Sequence, residues 1–82
     1  MQIQIEILTK KDCELCDDAK KIVERVLPDF PAILKMVDIE SSADLFEIYK
    51  EKIPVVIING KENFVYKVNE TTLRKKLEKI IY

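Results

Sequence analysis

Residues 2–8 alternate strictly, with Ile3, Ile5 and Ile7 on one side and Gln2, Gln4 and Glu6 on the other. That two-residue period is the signature of a strand with one buried face. From Leu15 the period changes. Leu15, Ala19, Ile22, Val23, Val26 and Leu27 recur on one face of a helix, while Asp17, Asp18, Lys20, Lys21, Glu24 and Arg25 fill the opposite face. Pro28 and Pro31 stop this helix, because proline lacks the N–H and clashes with the preceding turn. Its start falls at or near Cys13.

The stretch from Ala32 to Ile39 is β-rich and predicts a second strand. Ser41-Ser42-Ala43-Asp44 matches a capping box, with Ser41 as the N-cap and Asp44 reaching back. A short helix carrying Leu45, Phe46, Ile48 and Tyr49 follows and ends in Lys50-Glu51-Lys52. The run from Ile53 to Ile58 is apolar throughout, as expected of a strand buried on both faces. Asn59-Gly60 is a strong hairpin signal, leading to a partner strand near Glu62 to Lys67. Asn69 then caps a last helix striped with Leu73, Leu77, Ile80 and Ile81. Its late lysines, Lys75, Lys76 and Lys79, suit the negative end of the helix dipole.

The predicted order is β-α-β-α-β-β-α in one domain over residues 1–82, with no linker or repeat. A β-α-β crossover makes the first two strands parallel, and the hairpin makes the last two antiparallel. The fold class expected is α/β, a four-stranded mixed sheet with helices on both faces.

Composition narrows the chemistry. The 82 residues include one Gly, no His and two Cys, and fourteen basic against fifteen acidic residues give a net charge of −1. A single Gly excludes phosphate-cradling loops that need several. Without His there is no imidazole base, and most zinc sites are lost. Near-neutral charge argues against nucleic acid or an anionic membrane as partner. No apolar run approaches the ~18 residues of a membrane span, and the N-terminal stretch does not read as a signal peptide. The expected setting is the reducing cytoplasm, and the expected state a monomer.

The reactive chemistry left is Cys13-Glu14-Leu15-Cys16, a C-x-x-C. As a structural disulfide it closes too short a loop to remove much unfolded-state entropy. As half of a zinc site it lacks two ligands, which would have to be carboxylates or come from a second chain. As a redox pair it fits its position. A helix N-terminus favours a thiolate on Cys13, the proposed nucleophile. Cys16, one turn on, is the resolving thiol. Asp12, Glu14, Asp17 and Asp18 oppose thiolate formation and Lys10 and Lys11 offset them; the same carboxylates are also ordinary complements of a first helical turn. Pro54 opens a buried strand, either as a simple strand-start residue or as a cis peptide that turns the Ile53 backbone towards Cys13 to pair with an extended substrate.

With C-x-x-C directly after a first strand, and Ile53-Pro54 ahead of a hairpin and a terminal helix, the chain resembles the glutaredoxins and small glutaredoxin-like thiol oxidoreductases of the thioredoxin fold, from Gln2 to Ile81. The resemblance implies Cys13 as attacking thiol, Cys16 as resolving thiol, Pro54 as a cis-proline facing them and Ile53 as the substrate-pairing backbone. It also implies a contact between a glutathione carboxylate and Lys10 or Lys11. Two features depart from the glutaredoxin pattern. Glu14-Leu15 replaces Pro-Tyr between the cysteines, and Val68-Asn69-Glu70 stands where glutathione-binding members carry Gly-Gly; the Trp that thioredoxins carry before the motif is absent as well. Glutathione and a reductase therefore both stay open as the source of electrons. In this fold the first strand is central, so Gln4 and Glu6 should face the short second helix; they mark either a partly solvated face or a binding face.

The function expected is thiol–disulfide exchange with protein or low-molecular-weight disulfides through a Cys13–Cys16 dithiol–disulfide couple, with no bound cofactor and no metal. Its partners would be a disulfide-containing protein, a reductase, or both. A redox-inactive adaptor on the same fold, docking a protein partner, is the alternative, and zinc-linked assembly of two chains a third.

Overall fold

The computed structural model describes residues 2–81; Met1 and Tyr82 of the expected domain lie outside them. Strand β1 (Ile3–Thr9) is followed by helix α1 (Glu14–Val26), strand β2 (Ala32–Asp38), helix α2 (Ala43–Tyr49), strands β3 (Val55–Ile58) and β4 (Lys61–Val65), and helix α3 (Glu70–Ile81). The sheet order is β2-β1-β3-β4. β1 and β2 run parallel, with Ile5 opposite Leu34, whereas β3 lies antiparallel to both β1 and β4. The four-stranded mixed sheet read from the sequence is the fold observed.

Alternation along β1 sorts the molecule into two layers. Ile3, Ile5 and Ile7 face a core with Ala19, Val23 and Val26 of α1, Leu73 and Leu77 of α3, and Val56 and Ile58. Leu8, on the opposite face, joins Ile39, Val55 and Cys16 in a second cluster, against which Leu45, Phe46 and Tyr49 of α2 pack. Tyr49 reaches across to β4; burial, and then the nearby Glu62 carboxylate, raise its phenol pKa. Helices thus cover both faces, but α2 is only seven residues long. It covers the Leu8 end and leaves Gln4, Ile33 and Lys35 exposed.

Several local readings shift. The buried stripe of α1 is Cys16, Ala19, Val23 and Val26. Leu15, expected in that stripe, is 43% exposed, because the pattern is wide enough to leave its edge outside the contact with the sheet. Ser41 does not cap α2. Its hydroxyl donates to the Asp38 carbonyl at 2.6 Å, while the cap is Ser42, whose Oγ accepts from the Leu45 N–H at 3.4 Å. A single 3-10 turn over Ile39–Ser41 takes up the residues that the capping box claimed. β4 ends at Val65 rather than near Lys67, because Tyr66 adopts a left-handed φ of 70° that no strand continues.

An ion-pair cluster ties the helices on the main-core side. Arg74 of α3 contacts Asp29 at 2.7 Å and Glu70 at 3.2 Å, and Glu70 also meets Arg25 of α1 at 2.9 Å. Hydrogen bonds from Arg25, then Arg74, hold the Glu70 carboxyl below its ordinary range.

Candidate active site

β1 delivers the chain to the carboxyl end of the sheet, where Lys10-Lys11-Asp12 turns it into α1. Asp12 makes the turn with φ 59°, a left-handed conformation that Asp tolerates better than most side chains. Cys13 follows as the N-cap of α1, with extended backbone. Its Sγ accepts the Cys16 N–H at 3.1 Å. That is the capping role usually given to an oxygen, so the sulfur sits among the unpaired amides of the first turn.

The two cysteines form a disulfide, with Cα atoms 5.2 Å apart, inside the usual range for such bridges. They differ in exposure. Cys13 is partly exposed, whereas Cys16 is 2% exposed in the second cluster. A reagent from solvent therefore meets Cys13 first. Asp12, Glu14, Asp17 and Asp18 are all exposed, as are Lys10 and Lys11. Among the described residues neither lysine enters a salt bridge. Among those residues, too, no group of three or more His, Cys, Asp or Glu is placed to hold a metal ion.

Ile53 and Pro54 come to the same place from the other end of the chain. The peptide between them is cis. Both are buried, and Ile53 shares the cluster of Cys16 and Val55, against which Cys13 packs. The Pro54 carbonyl accepts the Tyr66 N–H at 2.8 Å. Among the described residues the N–H and C=O of Ile53 have no hydrogen-bond partner.

The structure adds a residue that sequence reading passed over as strand. Tyr66 bonds to Pro54 through its backbone and to the Glu51 carbonyl through its hydroxyl, also at 2.8 Å. Tyr66, 49% exposed, borders a groove of about 200 Å³ running between α1 and the segment after β4. Leu15, Ala19 and Ile22 line one side and Tyr66 and Val68 the other, with Asp18 and Lys67 as the charged members. No motif marks Tyr66; only its φ and its two bonds reveal it.

Comparison with known proteins agrees with this geometry. Residues 4–78 match the family model described as Glutaredoxin-like domain (DUF836). A curated relative, the glutaredoxin-like protein YDR286C homolog of Dictyostelium discoideum, is 33% identical over 85 residues, covering 96% of this chain and 79% of the relative. Among solved structures, protein XcR50 from X. campestris superposes with a TM-score of 0.76 at 21% identity, over 92% of this chain and 96% of that one. Thioredoxin from Trypanosoma brucei brucei gives 0.69 at 23% identity, over 96% and 74%. These two likenesses speak to the fold. With a C-x-x-C pair at the head of α1 and a family match across most of its length, the chain belongs to the glutaredoxin-like domain family and has the thioredoxin fold.

Proposed function

We propose that this protein is a thiol–disulfide oxidoreductase working through the Cys13–Cys16 couple. In the reduced form the Cys13 thiolate attacks a substrate disulfide. A Cys13–substrate mixed disulfide forms and one substrate sulfur leaves as a thiol after taking a proton. The Cys16 thiolate then attacks the Cys13 sulfur. That releases the second substrate thiol and closes the Cys13–Cys16 disulfide, so two electrons pass from protein to substrate. An external thiol, glutathione or the dithiol of a reductase, returns them by the reverse exchange.

One observation carries the reading: a partly exposed Cys13 capping α1, bridged to a buried Cys16 and packed with Ile53. The helix terminus favours the thiolate of the exposed sulfur. Burial reserves the second sulfur for the internal step. The unpaired Ile53 backbone offers one donor and one acceptor to an extended substrate. Lys10 and Lys11 flank Cys13 as cations available to an anionic substrate group.

The test is to reduce the protein and mix it with a chromogenic disulfide, beside a Cys16→Ser variant. The wild type should turn over with an external dithiol. The variant should stop at a mixed disulfide on Cys13 that intact mass resolves. Absence of exchange by both proteins would sink the reading.

A further inference from the structure

Tyr66 holds a backbone conformation that bulky side chains rarely adopt, with φ 70°. Such a residue persists where its surroundings over-determine it. Here its two hydrogen bonds, to the carbonyls of Glu51 and Pro54, bracket Ile53 on both sides. The same residue lines the groove together with Leu15. One side chain therefore joins the segment with free backbone groups to an apolar hollow that begins two residues from Cys13.

The hollow suits a particular occupant. At about 200 Å³ it is smaller than the roughly 300–1,000 Å³ of drug-sized ligand sites, a volume for one large side chain. Its lining is mostly apolar, and its charged members, Asp18 and Lys67, cancel. No net positive charge is present there to select the carboxylates of a small anionic thiol. The unpaired N–H and C=O of Ile53 complement a peptide plane. An apolar side chain and a backbone to pair with come together in a polypeptide.

We propose that Tyr66 is the specificity-determining residue of the exchange site. Its ring and Leu15 seat one apolar side chain next to the attacked cysteine of an extended polypeptide disulfide, and its two hydrogen bonds position the Ile53 backbone that pairs with that polypeptide. The inference rests on the exchange reaction proposed above and names its substrate class. Tyr66 acts by contact with the substrate side chain and by positioning Ile53; bond making stays with Cys13 and Cys16.

The experiment compares three disulfides: a symmetric peptide disulfide with Leu on both sides of each cysteine, the same peptide with Ser in place of Leu, and hydroxyethyl disulfide. Wild-type protein should favour the Leu peptide over the Ser peptide about tenfold in kcat/KM, the low end for burying one apolar side chain, with the difference in KM. Leu15→Ser and Tyr66→Ser should each bring that ratio to within about twofold. Tyr66→Phe, which keeps the ring and loses the bond to Glu51, should keep the Leu-over-Ser ratio and lose part of the peptide advantage over hydroxyethyl disulfide. Equal rates for the two peptides with wild type, or a tenfold ratio that survives Leu15→Ser and Tyr66→Ser, overturns the inference while leaving exchange intact. Failure of the wild type to react with all three disulfides removes the exchange reading itself, and the inference with it. The wild-type comparison needs no variant to fold.

Discussion

Asn59 and Gln4 are bonded to each other twice: the Asn59 N–H donates to the Gln4 carbonyl at 2.8 Å, and the Asn59 Oδ1 accepts the Gln4 N–H at 2.9 Å. The hairpin turn is thereby stitched to the central strand. Asn59 does this from a left-handed φ of 49°, which Asn accepts more readily than other residues.

Replacing Asn59 with Ala should cost about 1–3 kcal/mol, since the Gln4 N–H loses its acceptor and Ala resists the left-handed turn. Gly60→Ala should cost about 1–2 kcal/mol for the second reason alone. Gly60 has φ +83°, and a Cβ there would meet nothing within 4 Å. Urea unfolding of both variants checks this, and Asn59→Asp, which keeps an acceptor and the turn tolerance, should lie closer to wild type.

A buried and an exposed leucine of the helical stripes should respond unequally. Leu73, 0% exposed in the main core, should cost about 2–5 kcal/mol on truncation to Ala. Leu15, 43% exposed, should cost no more than about 0.5 kcal/mol. Comparable losses at the two positions would show that the groove wall is a structural contact.

The last helix depends on its cap. Asn69 Oδ1 accepts the Thr72 N–H at 2.9 Å, so Asn69→Ala should lose about 0.5–2 kcal/mol. Asn69→Asp or Asn69→Ser should retain most of it, as thermal melts would report.

Stability should also depend on pH through Glu70. Its pKa is lowered from 4.5 by hydrogen bonds from Arg25 and Arg74. A depressed carboxyl stabilises the fold above its unfolded pKa, and the contribution fades as pH falls through the folded value. The Tm gap between wild type and Glu70→Gln should therefore be widest near neutrality and close in acid below pH 4.5. A gap that is constant through the acid range would mean that Glu70 acts through packing alone. High salt should narrow the neutral gap, because the partners lie near the surface.

Much of the molecule was written in its periodicities. The alternation of Ile3, Ile5 and Ile7 defines a strand and its buried face, and Asn59-Gly60 defines a hairpin with both residues at positive φ, because these signals act within a few neighbours. The cysteine pair and its place at a helix start were legible for the same reason. Ser41 and Ser42 were harder: either can cap, and the Asp38 carbonyl decided which by engaging the Ser41 hydroxyl.

Local sequence determined the elements, their order, the parallel pairing of β1 with β2, the antiparallel pairing of β3 with β4, and the place of the cysteine pair at a helix start. Each of these depends on steric and hydrogen-bonding preferences of residues close along the chain. Tertiary structure decided that Cys16 and not Leu15 is buried, that Ile53 packs with the cysteines, and that Tyr66 leaves β4 to clasp the Glu51–Pro54 segment. Those outcomes turn on which surfaces meet across the sheet. Contacts between residues from a dozen to about forty positions apart leave no periodicity to read.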